Sequence, residues 1–234
     1  MTRISAANVR ERPAYSIGEA ANYLGLNAST LQSWALGRHY PTSGGDRHWP
    51  ALFVIADAKN RRLSFINLVE ANVLAAVRRD HGVKMHSVRS ALDFVRRALG
   101  VQRPLADQAF ATDGVGLFVE HYGKLIEASK HGQQVLRGML DDALKRVDRD
   151  GPGGVPIRLY PPKTPNDRDR AKYVAFDPSI AFGRPALVKA GVPIAAIADR
   201  FRAGDSMTFL AEDYGVGTEA IEEAIRLADN LRAA

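Results

Sequence analysis

The side chains that could carry chemistry are thinly spread over these 234 residues. The chain has six histidines and no cysteine, which excludes thiolate zinc sites, iron–sulfur clusters, disulfides and cysteine nucleophiles together. The nearest histidine pairs, His39 with His48 and His81 with His86, have no carboxylate at the spacing a zinc site would need. Asp141-Asp142 could suggest a two-metal nuclease, but adjacent residues on a helix diverge by about 100° and would need further acids brought from elsewhere. No Gly-rich phosphate loop, His-Glu-x-x-His or Gly-x-Ser-x-Gly occurs. The sequence therefore predicts a protein that is not an enzyme and uses no metal or cofactor.

A different chemistry, hydrogen bonding to a polymer, is better represented. Ser29, Thr30, Gln32 and Ser33 are small or amide side chains clustered within five residues. If residues 28 to 36 form a helix with Ala28, Leu31 and Ala35 inward, these four point outward as an uncharged polar face. Trp34 belongs with the core. The element that would position this face precedes it. Ser16-Ile17-Gly18-Glu19 reads as a capping box, Ile17, Ala20, Ala21 and Leu24 make one helical stripe, and Gly25 ends the helix with Leu26 plugging the turn. Asn27 then serves as the N-cap of the second helix. Two short helices across a tight turn, the second presenting hydrogen-bonding groups from its first turns, suit entry into a major groove.

Charge supports the same partner. Residues 1–103 hold 15 Lys and Arg against 7 Asp and Glu, residues 104–170 hold 10 against 10, and residues 171–234 hold 7 against 9. The excess of positive charge lies in the first part alone, where a phosphate backbone is its expected counterpart. After the second helix, Ala51 to Ala56 and Leu63 to Phe65 read as a short hairpin, a wing whose tip carries Lys59, Arg61 and Arg62; Arg38, His39 and Arg47 flank the preceding Tyr40–Gly45 loop. Ser29, Gln32 and Ser33 are the expected base readers, with Thr30 beside them, and Arg38, Arg47, Lys59, Arg61 and Arg62 the expected backbone contacts. Two further helices follow, one through Ile66, Val69, Val73 and Val77 and one capped by Ser87. The second exposes Arg89, Arg96 and Arg97, further phosphate candidates.

Residues 15–99 resemble the MerR-like winged helix-turn-helix family. Ile17-Gly18-Glu19-Ala20-Ala21, the turn Gly25-Leu26-Asn27 and the pair Thr30-Leu31 match its pattern. The family's basic, tyrosine-rich stretch after that pair is here Gln32-Ser33-Trp34, so its base contacts do not carry over.

Residues 104–170 read as a connecting region: short strands at Leu117–Glu120 and Lys124–Glu127, an amphipathic helix from Gln133 to Val147, and a stretch from Arg149 to Arg170 with eight Gly or Pro, the expected boundary. Residues 171–234 read as a second module of three helices, started by Pro193 and capped at Ser206 and Thr218. Its last helix carries Glu219, Glu222, Glu223 and Asp229, carboxylates that would repel phosphates and suit a protein partner instead.

This tail resembles a helical domain family associated with antitoxins, through Asp177-Pro178, Gly183-Arg184-Pro185, Val192-Pro193-Ile194 and Phe201-Arg202-Ala203-Gly204-Asp205-Ser206. The whole chain is thus similar to VapB-type antitoxins of type II toxin-antitoxin systems. The resemblance implies a protein that neutralises a PIN-like, VapC-type ribonuclease by direct contact and represses its own operon. The expected fold is mainly α with small β-hairpins (α+β), a winged helix-turn-helix followed by a three-helix tail. The expected state is a cytoplasmic homodimer on a two-fold operator of double-stranded DNA. Two readings compete with it: a ligand-responsive transcription factor without a toxin partner, and a helical scaffold without nucleic acid.

Overall fold

The computed structural model describes residues 6–42, 45–78, 85–127, 129–151, 154–161 and 172–233. Ser43 and Gly44 of the expected loop, Arg79, His81 and residues 162–171 of the Pro/Gly-rich stretch lie outside the described residues.

A short helix α1 (Ala6–Glu11) and a two-residue strand β1 (Tyr15–Ser16) lead into helix α2 (Ile17–Leu24). The capping box forms: Glu19 N–H donates to Ser16 Oγ at 3.1 Å and Ser16 N–H donates to Glu19 Oε2 at 2.8 Å. At the other end the Leu26 amide donates to the Ala21 carbonyl at 2.8 Å and the Gly25 amide to that of Asn22 at 3.1 Å, the Schellman closure. Helix α3 (Ala28–Leu36) follows after the three-residue turn. Leu31, Trp34 and Ala35 are buried, whereas Ala28, expected inward, is exposed. Asn27 occupies the N-cap position without a side-chain capping bond.

The wing is not where the apolar run suggested. Residues 51–56 form no strand; the hairpin is β2 (Arg38–Thr42) with β3 (Gly45–Trp49), paired from Arg38 opposite Trp49 to Thr42 opposite Gly45. Leu52, Phe53 and Ile55 are buried in an irregular segment held by hydrogen bonds instead. Leu52 N–H donates to Trp34 O at 2.7 Å, Asn67 Nδ2 donates to Val54 O at 2.7 Å, and Asn67 Oδ1 accepts from Ala56 N at 3.0 Å. One buried amide side chain thus satisfies backbone groups that a strand partner would otherwise have taken. Strand β4 (Arg62–Leu63) pairs with β1, not with residues 51–56.

Helix α4 (Phe65–Arg78) is the central strut, buried at every position from Phe65 to Val77. Helix α5 (Met85–Leu99) packs against α6 (Val115–Ile126), α6 against α7 (Lys130–Leu144), and α7 against α4. The strands expected at Leu117–Glu120 and Lys124–Glu127 are a single helix, α6. Val115, Phe118, Val119, Tyr122 and Gly123 are its buried residues, recurring at i, i+3, i+4, i+7 and i+8, a helical rather than a strand period. Ser87 is buried within α5 and does not cap it.

Strands β5 (Val147–Arg149), β6 (Pro156–Leu159), β7 (Val174–Phe176), β8 (Pro185–Leu187) and β9 (Val192–Pro193) form one antiparallel sheet in sequence order. Leu159 opposite Phe176 joins the strands before the Pro/Gly-rich stretch to those after it. Pro193 sits at the end of β9, one residue ahead of α8 (Ile194–Arg202). Helices α9 (Met207–Tyr214), capped by Ser206, and α10 (Thr218–Ala233) complete the tail. Arg200 ties α8 to α9 through Asp205, Asp213 and Tyr214.

One apolar core runs from α2 and α3 through the helical body to Leu159 and Phe176, and a second, smaller one lies among β7, β8 and α8–α10. The tail also grips the helix-turn-helix directly. The Tyr15 hydroxyl donates to Gly183 O at 2.8 Å, Asn22 Nδ2 donates to Leu231 O at 2.7 Å, and the Tyr23 and Phe176 rings lie 4.9 Å apart. Gly183 has φ +81, and a Cβ there would stand 2.3 Å from the Tyr15 hydroxyl, so only glycine permits this contact. The fold is therefore mainly helical with small sheets, an α+β arrangement.

Candidate nucleic-acid interface

The polar face of α3 lies open. Ser29 and Gln32 are exposed, Thr30 and Ser33 half-buried, and the Ser33 hydroxyl donates to Thr30 O at 2.7 Å. All four line a groove of about 640 Å³ whose other walls are Trp34, Gly37, Arg38, Trp49, Leu52, Arg78, Met85 and Arg89. Gly37 makes the hinge from α3 into the hairpin. Its φ is +78, and a Cβ there would lie 2.5 Å from Trp49 O, so the hairpin can fold back toward the helix only with glycine at this point.

The groove is lined by three arginines from three elements. Arg38 opens β2, Arg78 ends α4, and Arg89 comes from α5. Arg89 donates to Ala51 O at 3.0 Å, and its burial lowers the pKa of the guanidinium; it both braces the irregular segment and faces the groove. Arg78 and Arg38 are exposed. Trp49, partly exposed at the end of β3, gives the groove an aromatic wall.

The remaining expected contacts are distributed differently. Arg47 is exposed on β3, opposite Tyr40 in the register, and does not line the groove. Lys59 and Arg61 stand on a tight turn between Asp57 and Arg62, closed by Asn60 N–H and Nδ2 donating to the Asp57 carboxylate at 2.9 and 2.7 Å. Those bonds from Asn60 hold the Asp57 carboxyl below its usual range. Arg62 is drawn toward α2, with Nη1 3.7 Å from Glu19 Oε2 and 3.5 Å from Ala14 O. Sequence reasoning gave no role to Trp49 or Arg78. The Gly44-Gly45 pair between two charged runs was the available signal for a hairpin at 38–49.

On the tail, the four acidic residues of α10 split into two kinds. Glu219 and Glu222 are exposed. Glu223 accepts from both Nε and Nη2 of Arg226 at 2.7 to 3.0 Å, and Asp229 is paired with Arg202. Among the described residues no group of three or more His, Asp or Glu could hold a metal ion, and no helix is long and apolar enough to cross a membrane.

Helices α2 and α3 form a helix-turn-helix whose second helix lays its polar face along an open groove. Residues 13–92 match a family profile described as "Putative DNA-binding HTH domain", and residues 174–228 match one described as "Protein of unknown function (DUF433)". Along nearly its full length the chain is similar to a protein of Mycobacterium tuberculosis named "Putative antitoxin VapB45", at 29% identity over 91% of this chain and 92% of that one. The uncharacterized protein Rv2308 of the same organism is 26% identical over 99% of this chain and 96% of its own. The crystal structure of Rv2018 from M. tuberculosis shares the fold, with a TM-score of 0.65 at 23% identity over 92% of this chain and 98% of that chain.

Proposed function

We propose that this chain is a cytoplasmic antitoxin that binds operator DNA as a homodimer, represses its own operon, and neutralises a PIN-like, VapC-type ribonuclease by direct contact. The observation that carries the DNA half is the convergence of Ser29, Thr30, Gln32 and Ser33 with Arg38, Arg78 and Arg89 on one open groove. Hydrogen-bonding side chains from the first turns of a short helix read base edges, and cations from neighbouring elements hold phosphates on either side. Arg47, Lys59 and Arg61, exposed beyond the groove, extend the cationic surface along the duplex, and Arg62 sits closer to the body.

The toxin half rests on similarity, over nine-tenths of both chains, to the protein named "Putative antitoxin VapB45", and on the separation of charge between the cationic first part and the anionic tail. Glu219 and Glu222 on α10 are the exposed acids offered to that partner, with Glu223 and Asp229 already engaged within the chain. In this reading the protein works by contact and position.

Two measurements test the proposal. In mobility-shift assays on its own upstream DNA, Arg38→Ala and Arg78→Ala should each lower the slope of log K against log salt by roughly 1, while Gln32→Ala should weaken operator binding more than binding to random duplex. Unchanged slopes in both arginine variants would remove the groove from the DNA reading. Ribonuclease activity of the neighbouring gene product should fall when this chain is added in equimolar amount; activity that persists in excess would end the antitoxin role and leave the repressor role standing.

A further inference from the structure

A second cleft, of about 540 Å³, lies between the helix-turn-helix and the tail, and nothing in the DNA reading uses it. Its walls come from the segment before β1 (Arg12, Pro13), from α2 (Glu19, Tyr23), and from the turn between β7 and β8 (Pro178, Phe182, Arg184). Three features of the cleft converge on one kind of occupant.

The first is Phe182, which is 94% exposed although it lines the cleft. Its backbone is left-handed, φ 56, between Ala181 at φ 49 and Gly183 at φ 81. A phenylalanine rarely adopts that conformation, and held strain of this kind clusters at binding sites. The turn is firmly pinned: Asp177 accepts from Ser179 N–H at 2.9 Å and from Arg158 Nη2 at 3.0 Å, the Gly183 amide donates to Ile180 O at 2.9 Å, and Tyr15 holds Gly183 O. The ring is thus presented outward by a rigid support.

The second is charge. Among the described residues, Arg12 and Arg184 are exposed and make no side-chain hydrogen bond or ion pair. Glu19, the one acid in the cleft, is occupied by its capping bonds and by Arg62. Burial opposes its ionisation, but the two Ser16 hydrogen bonds with the charges of Arg62 and Arg184 together keep it below its usual pKa. The cleft therefore offers two cations outside any ion pair, Arg12 and Arg184, the second close enough to Glu19 to favour its ionised form. The third feature is the apolar lining of Tyr23, Pro13, Pro178 and Pro193 in the same cleft, a wall on which an extended peptide can bury an apolar side chain.

A small molecule seated in the cleft would leave Phe182 still facing water. A nucleic acid would carry a phosphate at every nucleotide past the ionised Glu19, whereas a peptide can bring a single carboxylate. We propose that this cleft docks an extended segment of a partner protein, one carrying an apolar or aromatic side chain beside one or more carboxylates. Phe182 and the proline and tyrosine walls take the apolar residue, and Arg12 and Arg184 take the acid. The inference requires neither the DNA reading nor the identity of the toxin.

The test is a displayed library of random dodecapeptides selected against the full chain, with counter-selection on Phe182→Ala and on the double variant Arg12→Glu, Arg184→Glu. The enriched peptides are then synthesised and titrated by calorimetry. Sequences with Asp or Glu next to Phe, Tyr, Trp or Leu should dominate, and each variant should bind them about tenfold or more weakly. Melting temperature and operator binding should match the parent chain, which shows that the variants fold and that the DNA surface is untouched. The proposal is overturned if no family of peptides is enriched, or if enriched peptides bind both variants as well as the parent. It also falls if salicylate, and no peptide, raises the melting temperature in a way that the double variant abolishes, since the cleft would then be a small-molecule site.

Discussion

At the scale of single residues, a few side chains decide more than their number suggests. Asn67 and Glu70 lie fully buried in α4, joined by Asn67 Nδ2 donating to Glu70 Oε2 at 2.9 Å. Burial pushes the Glu70 carboxyl up to about 7, with the charge of Arg103 and the Asn67 bond pulling against it. The folded chain therefore holds this proton through a range where the unfolded chain releases it. Stability from this group is full below about pH 4 and declines as pH rises through 7. Glu70→Gln should leave thermal stability unchanged at pH 4.5 and raise it at pH 8 by up to about 3 kcal/mol; equal stabilities at pH 8 would contradict the assignment. The Tyr15 hydroxyl is the other hinge point, its pKa raised by burial. Tyr15→Phe should cost about 1 kcal/mol through the lost bond to Gly183 O. Gly183→Ala, which meets both a collision and a left-handed φ, should cost more, of order 1–3 kcal/mol, as read from urea midpoints.

At the scale of elements, what the sequence reveals depends on whether an element carries its own local signature. Helices α2 and α4 do: the Ser16–Glu19 box and the Ile66, Val69, Val73, Val77 stripe are complete within their own segments. The β2–β3 hairpin does not. Its residues alternate no apolar face and are exposed along all of β3, so nothing in the hydrophobic pattern marks them. The apolar run Leu52 to Ile55 instead looks like a strand, because the amide that takes its backbone groups, Asn67, lies eleven or more residues away. Helix α6 misleads for a related reason: Leu117, Phe118 and Val119 form a short apolar run with strand-like composition, and only the longer 115-to-123 spacing tells the period. The groove is half legible on the same logic. Ser29 to Ser33 are neighbours in sequence, whereas Trp49, Arg78 and Arg89 reach the site through tertiary packing alone. Phe118→Ala, which empties a fully buried site against Phe110 and Tyr122, should cost about 3–5 kcal/mol in chemical denaturation, a loss that an exposed strand position would not show.

At the scale of the whole molecule, the sheet binds the two ends of the chain into one structure, since β6 and β7 pair across the Pro/Gly-rich stretch and Phe176 belongs to the core that also holds α2. A chain ending at residue 170 would lose β7, β8 and β9 and the partners of Tyr15 and Tyr23. It should melt lower than the full chain by roughly 10 °C, and the full chain should give one calorimetric transition; two well-separated transitions would show that the tail and the helix-turn-helix unfold independently. The walls of the groove carry a further consequence. The chain has two tryptophans, and both stand there, Trp34 buried at 3% and Trp49 open at 39%. The protein's intrinsic ultraviolet emission therefore comes from the place where a duplex would dock. Iodide should quench the red-shifted share from Trp49 and spare that of Trp34, and a bound operator should shield Trp49 from the quencher, so that occupancy can be followed without any attached dye.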